Sequence, residues 1–161
     1  MTAEKLKLAL VGCGAIARFH LDGIVERELP IEVTAAVDTD LAKAESFARE
    51  TGGEPFSDFN EAIENGEFDA VDLMLPHDLH ERFALASFRA GKHVLLEKPM
   101  ATDLAACDKI LAEARASGKV FMVAENAQYW PEIVKARELI EDGAIGEIIT
   151  ARAAFVMEFD E

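Results

Sequence analysis

The stretch that most constrains the fold is Leu6 to Ala17, which reads LKLALVGCGAIA. An apolar run from Leu6 to Val11 predicts a buried strand, and the small residues after it predict a tight turn into a helix. Gly12 lets the chain leave the strand. Gly14 has no side chain, so a phosphate group can approach the backbone, and Ala17 lets the helix lie close to the strand. The pattern is G-x-G-x-x-A, and the helix that opens at Gly14 offers unpaired N–H groups to an anion. A second apolar run, Ile31 to Val37, ends at Asp38, which lies 21 residues past Ala17. An acid about 20 residues on is the spacing of the residue that holds a ribose in dinucleotide-binding turns. An ordinary strand-to-helix turn is the alternative, but the strand before, the helix after and the acid at that distance favour dinucleotide binding.

The rest of the chain alternates strand and helix patterns, which predicts a doubly wound α/β Rossmann fold, a parallel sheet with helices on both faces. Strands are predicted over Leu6–Val11, Ile31–Val37, Pro55–Phe56, Ala70–Leu75, His93–Leu96 and Val120–Ala124. On the first helix, Ile16, His20 and Ile24 mark the expected buried face. Leu41–Thr51 reads as a helix ended by Gly52, and Ser57 or Asp58 is placed to cap the next one, which stops at Asn65-Gly66. A further helix runs from Leu79 to Ala90. Thr102 is expected to cap another, with the stripe Leu104, Cys107, Leu111 and Ala114. Pro131 suits the first turn of a last helix that ends at Gly143. The tail, Glu147 to Glu161, has a long strand pattern over residues 148–159.

Composition excludes some functions. The chain has 161 residues, half of them hydrophobic, and a formal net charge of −15. That charge opposes binding to nucleic acid or anionic membranes. No apolar run approaches the ~20 residues of a membrane span. The two cysteines, Cys13 and Cys107, form neither a zinc pattern nor a disulfide framework, which fits a reducing, cytoplasmic setting. His77 and His80 make H-x-x-H, but without a carboxylate or thiol cluster beside them no metal site is expected.

Four stretches together resemble the glucose–fructose oxidoreductase / inositol dehydrogenase (Gfo/Idh/MocA) family. They are VGCGAIA with His20, AVD ending at Asp38, LPHDLH followed by AGKHVLLEKP, and ENAQYWP followed by LIEDGAIGEI. The resemblance covers essentially the whole chain. It implies a dinucleotide-binding domain over residues 1–146 and the start of a truncated α+β domain over 147–161, whose later part would complete the substrate pocket and the oligomer. It further implies an NAD(P)-dependent oxidation of a sugar, polyol or inositol-like hydroxyl, with NAD preferred over NADP because Asp38 and Asp40 repel a 2′-phosphate. By the same resemblance the partners are a small sugar or polyol substrate and further copies of the chain; the unpartnered apolar strand pattern over 148–159 is itself expected either to pair with its counterpart in a two-fold dimer or to be poorly ordered.

Lys98 resembles the family lysine that faces the substrate hydroxyl; an ammonium there can polarise the oxygen and, with its pKa lowered so that it stands as the neutral amine, the group can take the proton. The cofactor-binding set implied is Gly12, Gly14, Ala15, Ile16, Asp38, Thr39, Leu75, Pro76, His80, Glu97 and Asn126. Glu97 either orients Lys98 or the nicotinamide amide, or is an ordinary strand-end carboxylate. His20 is expected to pack. The Lys98–Pro99 bond is expected to be cis, a form that costs proline only about 0.5–1 kcal/mol. The family also includes a transcriptional repressor of galactose metabolism, so a dinucleotide-sensing module without turnover is the alternative function.

Overall fold

A computed structural model describes residues 5–154. Six parallel strands form one sheet in the order β3-β2-β1-β4-β5-β6. The strands are β1 Leu6–Val11, β2 Ile31–Val37, β3 Glu54–Phe56, β4 Ala70–Leu73, β5 His93–Leu96 and β6 Phe121–Val123. The helices are α1 Ala15–Glu26, α2 Leu41–Thr51, α3 Phe59–Asn65, α4 His80–Arg89, α5 Leu104–Ser117 and α6 Pro131–Glu141. Strand order reverses between β1 and β4, and in such sheets the crevice at the carboxyl ends beside that reversal is where ligands bind.

The pleat of β1 divides the core in two. Ala9 and Val11 pack on one face with Phe59 of α3, Ala84 and Phe88 of α4, and Ile110 of α5. Leu8 and Leu10 pack on the other with Ala17 and Leu21 of α1 and Ala44 and Phe47 of α2. Both faces of the central strands are therefore dry, as a covered parallel sheet requires.

Asp58 caps α3 by accepting the Asn60 and Glu61 N–H groups at 2.8 and 3.0 Å. Strand β4 is two residues shorter than expected. Leu73 is the last residue paired with β1, opposite Val11, and β1 turns away at Gly12. Two helix faces differ from the sequence expectation. α1 buries Ala17 and Leu21 rather than the Ile16, His20 and Ile24 face, and Ile16 is exposed. α5 is capped by Asp103, which accepts the Ala106 N–H at 2.9 Å, not by Thr102. It buries Ala106, Ile110 and Ala114, while Leu104 is 82% exposed. In both helices alanines share the buried face with one large side chain, Leu21 in α1 and Ile110 in α5.

The chain divides into two compact units between Glu125 and Asn126, so α6 groups with the residues after Glu125. In the second unit a 3-10 turn, Asn126–Tyr129, leads into α6 with Pro131 in its first turn. Of the strand expected over 148–159, residues 148–154 carry no strand pairing, and residues 155–159 lie outside those described. Among the described residues no helix is long and apolar enough to cross a membrane.

Candidate functional site

The β1–α1 turn is held rigidly. Gly12 has φ +93, and a Cβ added there would lie 2.2 Å from the Met74 carbonyl oxygen. No side chain fits between the end of β1 and the segment leaving β4. The Gly12 N–H donates to Val37 O at 2.8 Å, and the Met74 N–H donates to Val11 O at 2.8 Å. The carboxylate of Asp38 then braces the turn. Its Oδ2 accepts the Cys13 N–H and its Oδ1 the Asp40 N–H, each at 2.9 Å. Cys13 itself is buried, and burial pushes its thiol up to about 12, so it is inert packing at neutral pH.

Gly14 differs from Gly12. It is the N-cap of α1, it has an ordinary φ of −90, and a Cβ there would meet open space. No side chain caps α1 and its first turn carries no acid. Its leading N–H groups thus keep their positive end for a ligand.

Gly14 also lines a cavity of about 540 Å³ at the carboxyl edge of the sheet. Gly12, Gly14, Asp38, Thr39, Leu75 and Pro76 line it, which brings together six of the residues expected from the sequence. The β3–α3 turn, Ser57 to Asn60, and Arg82 and Phe83 of α4 line it too. These were not anticipated, because nothing local in their sequence distinguishes them from a cap and a helix face. The Phe59 and Phe83 rings meet at 4.8 Å, and the Arg82 guanidinium lies 5.5 Å from the Phe83 ring centre. The cavity therefore combines a turn at an uncapped helix start, the carboxylate of Asp38 and an apolar wall. A dinucleotide needs all three, and the bare Gly14 leaves room for its pyrophosphate.

The other expected residues stand elsewhere. Ala15 and Ile16 belong to the first turn of α1. Asn126 opens the 3-10 turn of the second unit. His80 is fully buried, with ring nitrogens 2.8 Å from Pro99 O and 2.9 Å from Leu75 O. The ring ties the end of β4 to the turn after β5 instead of lining the cavity. In that turn the Lys98–Pro99 bond is cis, and Lys98 is exposed. The Glu97 carboxylate accepts the Lys98 backbone N–H at 2.9 Å.

His20 does more than pack. Its Nδ1 lies 2.7 Å from Asp72 Oδ2 and its Nε2 3.2 Å from Glu97 Oε1. Hydrogen bonding to Asp72, reinforced by the charges of both carboxylates, raises the pKa of His20 above the ordinary 6.5. Burial raises that of Asp72, with His20 pulling the other way. The pair thus holds its shared proton to higher pH than a free imidazole does. Among the described residues no group of histidines, cysteines and carboxylates is arranged to hold a metal ion.

Comparison with known proteins agrees with this geometry. Residues 6–125 match the family described as "Oxidoreductase family, NAD-binding Rossmann fold" (GFO_IDH_MocA). A dTDP-3,4-didehydro-2,6-dideoxy-alpha-D-glucose 3-reductase from Actinomadura kijaniata is 32% identical, over 96% of this chain and 47% of its own length. An inositol 2-dehydrogenase from Rhodococcus erythropolis is 33% identical, over 94% of this chain and 44% of its own. The crystal structure of the WlbA dehydrogenase from Bordetella pertussis, in complex with NADH and UDP-GlcNAcA, superposes with a TM-score of 0.83. It is 29% identical and covers 88% of this chain, which covers 44% of it. The chain spans about half the length of the curated relatives it matches.

Proposed function

Because the chain belongs to the Gfo/Idh/MocA oxidoreductase family, we propose that it is the cofactor half of an NAD-dependent dehydrogenase acting on a hydroxyl of a sugar, polyol or inositol-like substrate. The observation that carries this reading is the cavity at the carboxyl edge of the sheet, where the Gly12–Gly14 turn and Asp38 stand together.

Each residue has a task. The Gly14 backbone and the leading N–H groups of α1 hold the pyrophosphate. Asp38, already oriented by Cys13 and Asp40, accepts hydrogen bonds from the ribose hydroxyls, and its charge with that of Asp40 disfavours a 2′-phosphate. Leu75 and Pro76 supply apolar wall. A bound nicotinamide supplies the hydride acceptor. Lys98, at the end of β5 on the same edge of the sheet, receives the proton of the substrate hydroxyl in its neutral amine form and becomes the ammonium. This chain by itself binds the dinucleotide without turnover, because hydride transfer needs a substrate held in near-attack geometry by more wall than one Rossmann unit provides. The chain spans about half of its relatives, which supports that division of labour.

Titration with NAD and NADP, followed by calorimetry, tests the reading. NAD should bind more tightly than NADP, and Asp38→Ala should weaken NAD at least tenfold, about 1.4 kcal/mol, while narrowing the gap to NADP. Tighter binding of NADP to the unsubstituted chain would overturn the cofactor assignment. NADH production from a polyol panel, abolished by Lys98→Ala, would overturn the claim that the chain alone does not turn over.

A further inference from the structure

The α1 face of the sheet carries a cluster that does not line the carboxyl-edge cavity. On β4, Asp72 points away from the Val71 and Leu73 core and is 1% exposed. A carboxylate in the middle of a parallel sheet is costly unless it is paired. Its Oδ1 has no hydrogen-bond partner among the described residues, so Oδ2 and His20 provide its compensation. His20 sits between two carboxylates. Asp72 Oδ2 lies on the Nδ1 side at 2.7 Å and Glu97 Oε1 on the Nε2 side at 3.2 Å. Ionised carboxylates only accept hydrogen bonds, so both ring nitrogens donate when the ring is an imidazolium. The second oxygen of Glu97 accepts the backbone N–H of Lys98. The line of contacts thus runs from the sheet interior to the turn that bears the lysine.

We propose that Asp72, His20 and Glu97 act as one positioning relay for Lys98, in which Asp72 orients the His20 ring, the ring holds the Glu97 carboxylate, and Glu97 fixes the Lys98 backbone. The role of Lys98 that this serves rests on the dehydrogenase reading above; the relay itself is a property of the folded chain. None of the three is a catalytic residue, since each acts through Lys98. Losing the imidazolium proton removes one of the two donors, and with it the grip on Glu97. The groups that face His20 are Asp72 from β4 and Glu97 from the end of β5, while Arg27, just past the end of α1, and His93 of β5 line the same groove as His20 and Asp72.

Nuclear magnetic resonance on the 161-residue chain tests this without turnover. The ring nitrogens of His20 and the backbone N–H of Lys98 are followed together from pH 5 to 9. The Lys98 amide should titrate with the His20 midpoint, which should lie above 6.5. Glu97→Gln should abolish the Lys98 transition while His20 still titrates. His20→Gln should abolish it while thermal unfolding shows the fold intact. A Lys98 amide that stays flat while His20 titrates, or one that titrates unchanged in Glu97→Gln, overturns the relay. Co-titration in a chain that binds no NAD would uphold the relay and overturn the dehydrogenase reading, so the two failures are distinct.

Discussion

Gly12 and Gly14 stand two residues apart, yet replacing each with alanine should have different consequences. At Gly12 the backbone has φ +93, a region that costs an L-residue about 1–2 kcal/mol. The new methyl would also lie 2.2 Å from Met74 O and 2.9 Å from Met74 C. Both are backbone atoms, and hydrogen bonds fix both sides of the contact, so strand ends must move, an overpacking cost of about 1–3 kcal/mol. Together these give about 3 kcal/mol, a large part of the ~5–15 kcal/mol that holds a domain folded. For a chain of this size the melting temperature should fall by roughly 6–12 °C. At Gly14 the methyl meets nothing, and a weaker helix cap is offset by a less flexible unfolded chain, so stability should stay within about 1 kcal/mol. Its methyl projects where a pyrophosphate would approach, so NAD affinity should fall at least tenfold, about 1.4 kcal/mol. Thermal unfolding by circular dichroism and NAD titration of both variants provide the assay. A Gly12→Ala variant that melts within 2 °C of the parent, on the ~2–4 °C per kcal/mol scale, would refute the steric argument. A Gly14→Ala variant that binds NAD normally would refute the assignment of the turn.

Three further outcomes are expected. The folded-state pKa of His20 lies above 6.5, so its stabilisation is complete below that pH and is lost as pH rises through the folded value; Asp72, raised by burial, acts with the same sign. Urea unfolding at pH 6 and pH 9 should therefore show a larger loss for the parent than for His20→Gln, and equal losses would contradict it. His80→Ala leaves a hole where a fully buried ring stood against Pro99 O and Leu75 O, and should cost about 2–4 kcal/mol in urea unfolding; a loss under about 1 kcal/mol would show that the ring ties nothing. Ile149 is 96% exposed, and the 148–159 stretch is expected to join two copies of the chain about a two-fold axis. Light scattering should find a dimer that tightens with salt, which screens the −15 charge, and a monomer for a chain ending at Gly146; a dimer unchanged by that truncation would exclude the idea.

Much of the fold is legible because its signals are local. The bounds of β1, β2, β5 and α2 follow from apolar runs and their breakers, and Asp58 and Pro131 occupy the helix starts that their chemistry favours. The facing of α1 and α5 is not legible, since periodicity weighs large apolar residues whereas the sheet accepts Ala17, Ala106 and Ala114 at close approach. The turn and Asp38 are legible because spacing along the chain sets their geometry. The link from His20 to Asp72 is not, because the two lie 52 residues apart and meet only where α1 crosses β4. Asp72 reads in sequence as one polar interruption of a strand, and only burial reveals that it needs a partner.

The assignment of a dinucleotide to the carboxyl-edge cavity is open to direct mapping. It is tested most directly by mapping NAD onto the chain through backbone amide shifts. Saturating NAD should move the amides of Gly12 to Ala17, Asp38 to Asp40 and Leu75 to Leu79, with smaller changes at Ser57 to Asn60, and leave α5 unmoved. Shifts confined to other surfaces, or none at millimolar NAD, an affinity weaker than about −4.1 kcal/mol, would contradict it.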